Sequence, residues 1–583
     1  MKIIQGKDFR NDIEGLRAIA VLSVIIFHLG YLSNGYLGVD IFFVISGYLI
    51  TRIIYQESLD NKFSLVNFYI RRIRRIIPLV SFVVIISLIV GVIVMLPDDL
   101  ENLAQSIVST NFFSNNILQV LTTKNYWDVV NEYKPLMHTW SLAVEEQYYM
   151  LYPLIFLVLK EKRTKWILPL LIIATIVSLI LFFSNFPEYY KFYLLPFRFF
   201  ELSIGGIAAI IMQKKLLKHN YSIVLLLVLF VILFMDFKFL SNNILLVLTT
   251  LITTILLISE NSANQLSSII LENKIMVGIG KISFSLYMWH QIVLAFSRYF
   301  IISDLTIYST VILLIVIFIL SIISYFTVEQ IFRNKKIINT SLLLWSMGII
   351  TLISTILAFM IYIKGGILKD IPELDIKKIE ARKNIHAKYN AKIYDYDKDF
   401  NNNKKIKILV IGDSFARDWV NILLESEFKN SINISYIYDI KTHKNLKERV
   451  KKANLIFVSE AEKSIINNYN LNSKKTWCIG TKNFGKSNGI IWNYTGKNYY
   501  KQRTVMMDGF LRKNALLKKE WGNRYIDLIS MTIDKKKTVP IFTENHKFIS
   551  QDCRHLTKAG AKFFATLTKD ILQPILDRFQ KGR

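Results

Sequence analysis

The chain has 583 residues, 52% of them hydrophobic, with a mean hydropathy of +0.35, which is too apolar for a protein whose only solvent is water. Lysine and arginine number 72 against 44 aspartates and glutamates, a formal charge of +28, but the excess falls in short gaps between apolar runs and in a polar C-terminal third without a nucleic-acid-binding motif. A membrane therefore explains the charge better than a nucleic acid. Only two cysteines, Cys478 and Cys553, are present, which excludes a disulfide scaffold and a clustered-cysteine zinc site, and no metal is expected.

From Asp12 to Ile363 the sequence is a series of about eleven apolar stretches long enough, at roughly 1.5 Å per helical residue, to cross roughly 30 Å of hydrocarbon. Their centres lie near Leu22, Val44, Ile86, Leu151, Ile173, Ala208, Leu227, Val247, His290, Leu314 and Thr355, and the pair at Leu227 and Val247 reads equally as one broken element. Gaps rich in cations (Arg71 to Arg75, Lys160 to Lys165, Lys214 to Lys218, Arg333 to Lys336) alternate with poor ones such as the gap from Asp98 to Tyr133, which carries Asp128 and Glu132. With Lys2, Lys7 and Arg10 before the first helix, the positive-inside rule predicts a cytoplasmic amino terminus, and an odd helix count places the chain beyond Ile363 outside. The first run carries Arg17 and His28 and lacks a small-residue cleavage site, so it reads as a retained helix.

Arg17 and His28 lie close to three helical turns apart, on one face and separated by roughly 16 Å along the axis. Ionisable groups in hydrocarbon usually face a cavity and mark function; the alternative is that Arg17 snorkels to one interface while His28 sits near the other. Further along come Gly38-Val39-Asp40, Arg71-Arg72-Ile-Arg74-Arg75, His138-Thr-Trp140-Ser-Leu-Ala-Val-Glu145-Glu146-Gln147, Phe197-Arg198-Phe-Phe-Glu201 and Ser285-Leu-Tyr287-Met-Trp289-His290. By charge alone, Arg71 to Arg75 form a positive-inside loop; Glu145, Glu146 and Glu201 read as interfacial charges or partners of Arg198, and His290 as a buried histidine.

Together with Phe9-Arg-Asn-Asp-Ile-Glu14-Gly15-Leu16-Arg17 and the run to His28, this series resembles the membrane-bound acyltransferase-3 family over nearly all of residues 10 to 335. The resemblance implies that His28 acts in acyl transfer from a thioester and that cations at the cytoplasmic mouth, Arg17 with Arg71, Arg72 and Arg75, hold acetyl-CoA as acyl donor. Asp40, Glu145, Glu146, Arg198, Glu201 and His290 are further candidates.

Beyond Lys364 the composition turns to Lys, Asn, Asp and Tyr, and residues 336–404 read as one extra membrane helix and a linker. Residues 405–583 then form a separate domain. Short β-type runs at Ile406 to Ile411, Ile432 to Tyr438, Leu455 to Val458, Thr476 to Ile479 and Tyr525 to Ile529 alternate with helical segments, predicting a small parallel α/β sandwich. The first strand runs into Gly412-Asp413-Ser414 and a helical segment. A serine at a helix N-terminus has backbone N–H groups to stabilise an oxyanion, although Gly-Asp-Ser alone reads equally as a cap. Near the other end, Asp552-Cys-Arg-His555 spaces a carboxylate and an imidazole so that one can orient the other as a general base.

The two motifs in this order resemble the SGNH (GDSL-like) esterases, a three-layer α/β sandwich, and the resemblance implies that Ser414 is the nucleophile, His555 the base and Asp552 its orienting partner. Ser459-Glu460 departs from that family's pattern. Asn483 in Gly480-Thr-Lys-Asn483-Phe-Gly485 is either a further oxyanion donor or part of an ordinary turn. Cys478 and Cys553 are either a disulfide or two unrelated thiols.

The fusion as a whole resembles bacterial two-domain O-acetyltransferases of surface glycans. It implies a multi-pass protein of the bacterial inner membrane, in contact with lipid, that moves acetyl from cytoplasmic acetyl-CoA to an extracytoplasmic glycan through Ser414. The glycan is a lipopolysaccharide O-antigen or similar polysaccharide, with peptidoglycan as the alternative. A membrane-anchored esterase and a transporter are the rival readings.

Overall fold

A computed structural model describes residues 10–122, 129–159, 163–211, 221–237, 240–259, 266–300, 306–366, 370–375, 385–402, 404–441, 443, 445–485, 496–506, 508–551 and 554–580. Lys2, Lys7, Asp128, Lys160, the basic gap from Lys214 to Lys218, Asp552 and Cys553 lie outside the described residues. The chain divides into two compact units: Met1–Gly91 with Leu103–Ser297 and Ser303–Phe359, and Val92–Asn102 with Arg298–Ile302 and Met360–Arg583.

The first unit is helical, as hydrocarbon demands, because a helix satisfies its backbone groups internally. All eleven apolar centres fall in helices: α1 Asn11–His28, α2 Gly38–Leu59, α3 Leu65–Val94, α4 Thr139–Leu159, α5 Arg163–Phe183, α6 Leu195–Ile211, α7 Ser222–Phe234, α8 Asn242–Ile258, α9 Ser283–Phe300, α10 Ile307–Ser324 and α11 Thr340–Ile363. Seven spans among the described residues are long and apolar enough to cross a membrane, and α7 and α8 are shorter apolar helices. Thus the segment around Leu227 and Val247 is two helices. The remaining pair, α1 and α9, carry Asp12, Glu14 and Arg17, and His290 and Arg298, respectively.

Helices α2 and α6 meet backbone to backbone. A Cβ on Gly47 would lie 1.8 Å from the Leu202 carbonyl oxygen, and one on Gly205 would lie 2.1 Å from that of Val44. Asp40 meets Arg198 at one end of this contact, and Thr51 meets Gly206 at the other, so the helices run parallel. Small residues allow such an approach where helix association draws on close packing rather than on the hydrophobic effect. Gly47→Ala is accordingly expected to cost about 1–3 kcal/mol by overpacking. Gly348→Ala, where an added Cβ has nothing within 4 Å, is expected to be neutral or slightly stabilising. Thermal unfolding of the two purified variants in detergent checks the contrast.

The second unit holds a five-stranded, wholly parallel sheet in the order β2-β1-β3-β4-β6. Its strands are β1 Ile406–Ile411, β2 Ile432–Ile437, β3 Leu455–Ser459, β4 Thr476–Ile479 and β6 Tyr525–Ile526. Along β1, Ile406, Ile408 and Val410 enter one apolar core with Trp419, Phe564 and Leu572, while Leu409 and Ile411 enter another with Leu446 and Trp521. Both faces are covered, so the sheet is the middle layer of three, and continuous apolar runs follow. A separate antiparallel pair, β5 Arg503–Val505 with β7 Thr538–Pro540, has no counterpart in the sequence reading. The predicted strand from Tyr525 to Ile529 pairs only through its first two residues, because the Ser530 N–H donates to the Asp527 carboxylate at 3.1 Å and turns the chain.

Candidate active site

In a sheet of order 2-1-3-4, the chain leaves β1 at the point where strand order reverses, and open α/β sheets place their ligands there. Gly412 makes the exit with φ +137°, beside Ser459 at the end of β3, whose Oγ would lie 2.2 Å from an added Cβ. Asp413 then caps helix α12, Ser414–Glu425, accepting the Phe415 N–H at 3.1 Å. Ser414 is thus the first residue of a helix, with backbone donors around its oxygen. The imidazole of His555 lies before helix α13, Lys558–Leu567, and its Nε2 is 2.8 Å from Ser414 Oγ. With the serine hydroxyl donating to Nε2, the imidazole accepts the proton as Oγ attacks an acyl carbon.

Asp552 lies outside the described residues, so what orients the far side of this ring stands on the sequence alone. Asn483 is buried, and its Oδ1 accepts the Gly485 N–H at 3.0 Å. Cys478 is a free, buried thiol that burial pushes up to about 12, a packing group rather than a nucleophile. Cys553 lies outside the described residues.

Two cavities among the described residues of the helical unit are lined by ionisable side chains. One is lined by Arg17, Arg72, Arg75, Glu145, Ser46 and Tyr149, the other by His28, Tyr36, Asp40, Trp140, Lys191 and Arg198, and both are bounded by Val39 and Tyr287. Because α1 places Arg17 and His28 in different cavities, the two lie at depths roughly 16 Å apart. His28 belongs to a cluster of rings. His28 is 5.2 Å from His290, His290 is 5.3 Å from both His138 and Tyr287, and His138 is 5.3 Å from Tyr287. His290 Nδ1 lies 2.5 Å from the Tyr287 carbonyl. Because a carbonyl only accepts, the proton is on Nδ1 and Nε2 is the basic nitrogen. His138 stood in a quoted motif without a role, and its partners come from α9, which sequence spacing could not bring to it.

The basic run of α3 divides by its partners. Arg72 and Arg75 face the cavity; Arg71 instead pairs with Glu57 at 2.9 Å, and buried Arg74 donates to the carbonyls of Phe332 and Ile338. Arg17 pairs with Glu14 at 3.0 Å. Glu145 accepts from Ser46 at 2.8 Å, and neighbouring Glu146 is buried. Arg198 bridges two buried carboxylates, Asp40 at 2.5 Å and Glu201 at 3.0 Å. Of the three glutamates offered as its partners, Glu201 fills that role, and Asp40 joins it. The cavity holding Arg17, Arg72 and Arg75 fits a polyphosphate donor such as coenzyme A, since guanidinium groups match phosphate oxygens in charge and geometry.

A serine–histidine pair on an α/β sheet, carried by a chain with a multi-pass helical unit, defines a membrane enzyme of acyl transfer. Residues 10–326 match the acyltransferase domain family Acyl_transf_3, a span of more than half the chain. The chain belongs to this acyltransferase-3 family and is an O-acetyltransferase. It is similar to a Staphylococcus aureus (strain MRSA252) protein named as O-acetyltransferase SAR0937, with 28% identity over 477 residues, 74% of this chain and 77% of that protein. It is also similar to the O-acetyltransferase OatA of S. aureus strain NCTC 8325 / PS 47, with 28% identity over 348 residues, 55% of this chain and 57% of that one. No solved structure matches the chain.

Proposed function

We propose that the protein moves acetyl groups from acetyl-CoA on the cytoplasmic side to hydroxyls of an extracytoplasmic glycan, with Ser414 as an acyl-enzyme relay. The observation that carries the reading is the 2.8 Å contact between His555 Nε2 and Ser414 Oγ, in a chain whose other unit belongs to an acyltransferase family. Arg17, Arg72 and Arg75 hold the donor phosphates, and His28, a ring of the cluster that lines the second cavity, serves as the base. Acetyl-CoA supplies an activated thioester.

At the sheet, Ser414 Oγ attacks the carbonyl carbon of an incoming acetyl ester or thioester as His555 takes its proton; the acyl bond to the donor group breaks, and that group departs with the proton. A sugar hydroxyl then attacks the acyl-serine, again losing its proton to His555, and the regenerated Ser414 Oγ takes it back. Water must be excluded, or the acyl-serine is hydrolysed. The glycan is a surface polysaccharide of the lipopolysaccharide O-antigen kind, or peptidoglycan. Mass spectrometry of the O-acetyl content of each, in cells with and without the gene, tests the reading and separates the two; unchanged acetylation of every envelope glycan would overturn it.

The same reading places the second unit outside. A reporter joined after Arg583 is expected to be active only when it requires the extracytoplasmic compartment, since the cation-rich gaps alternate along the helix series. Activity of a reporter that works only in the cytoplasm would refute this topology.

A further inference from the structure

Asp418 has no part in the chemistry described so far, yet its surroundings lead back to it. It lies one turn beyond Ser414 on α12, so both side chains rise from the same stretch of helix. The residue is fully buried, at 0% exposure, and a carboxylate so placed needs partners. Lys482 Nζ lies 2.9 Å from one of its oxygens, and an Arg417 guanidinium nitrogen lies 3.2 Å from the other. Lys482 is itself buried, stacked 3.6 Å over the Phe415 ring.

The remaining partner is the informative one. The Leu556 N–H donates to Asp418 Oδ2 at 2.9 Å, and that N–H belongs to the peptide directly after His555. Burial alone would raise this carboxyl, but Lys482, Arg417 and His555 together hold it below the usual aspartate range, so it is an acceptor at neutral pH.

We propose that Asp418 is a positioning residue for the Ser414–His555 pair: its side-chain oxygen, by accepting the Leu556 N–H, fixes the peptide after His555 and holds the imidazole at hydrogen-bond distance from the nucleophile. Ser414 and Asp418 share one rigid helix, so the base is referenced to the nucleophile through that helix and not only through its own loop. The inference rests on Ser414 and His555 being the acyl-transferring pair.

The test uses the full-length protein in detergent, with 4-nitrophenyl acetate as substrate. Asp418→Leu/Lys482→Met removes both members of the fully buried ion pair, leaves Arg417, which is partly exposed, as the cation beside it, and takes away the acceptor for the Leu556 N–H. Asp418→Asn/Lys482→Met removes the same charges but keeps an acceptor. The leucine pair is expected to lose about tenfold or more in kcat, because small misplacements of catalytic groups are costly, with KM and the thermal midpoint unchanged. The asparagine pair should stay close to the parent rate. Normal rates in both pairs, or equal losses in both, would overturn the proposal. If the leucine pair does not fold, a slow asparagine pair with a normal thermal midpoint overturns it, and a parent-like one supports it. Ser414→Ala is the separate arm: full hydrolysis by that variant sinks the reading of the pair itself, whereas its loss together with indifference to Asp418 sinks only the positioning role.

Discussion

Ser414→Ala will abolish acetylation of the glycan while leaving acetyl-CoA binding intact. His555 Nε2 lies 2.8 Å from this hydroxyl at the head of α12, and alanine leaves the helix and its N–H donors in place. Loss of a serine nucleophile costs roughly 10³- to 10⁶-fold in rate, with a residual contribution from the oxyanion donors and binding. Donor binding, followed by calorimetry on the purified full chain, should be unchanged, because Arg17, Arg72 and Arg75 belong to the helical unit. Acetylation at the normal rate would mean that the helical unit acts on the acceptor directly, and the relay would be wrong.

His28→Ala gives the complementary result. Transfer from acetyl-CoA should fall by roughly 10²- to 10⁴-fold, the usual contribution of a positioned proton acceptor, while hydrolysis of a small activated ester at Ser414 continues. His28 is only half-buried and lines an open cavity, so its removal should leave the fold intact. The check is a comparison of both activities in one preparation at matched protein level. Glycan acetylation by His28→Ala at the parent level would reduce the residue to a packing role.

Much of this was legible in the sequence because the signals were local. A strand that runs straight into Gly412-Asp413-Ser414 needs only its own residues to be recognised, and β1 and β4 occupy the predicted limits. The α3 arginines were only partly legible. Position 75 is four residues from 71 and three from 72, so the helical period alone does not separate 71 from the pair, and its Glu57 partner decides which cations face the cavity. The role of Asp418 was not legible. An aspartate in an amphipathic helix reads as solvated, and only the fold brings Lys482 and the peptide after His555 against it. The antiparallel pair β5 and β7 was missed for a similar reason: three-residue strands carry too little alternation to register, and their pairing depends on the turn through Asp534, whose carboxylate accepts the Thr538 N–H at 2.8 Å.

The backbone contact between α2 and α6 bears on what crosses the membrane. Carriers move a solute by rocking one bundle against another, which requires surfaces that slide. Here Gly47 and Gly205 lock two helices with no side chain between them, and the Asp40–Arg198–Glu201 ion cluster rivets their other end. A joint of this kind behaves as a fixed bulkhead. The two cavities share Val39 and Tyr287 as lining residues, so under the proposed relay coenzyme A stays in the cavity it entered, and the acetyl is handed on as an ester or thioester from one bound group to the next.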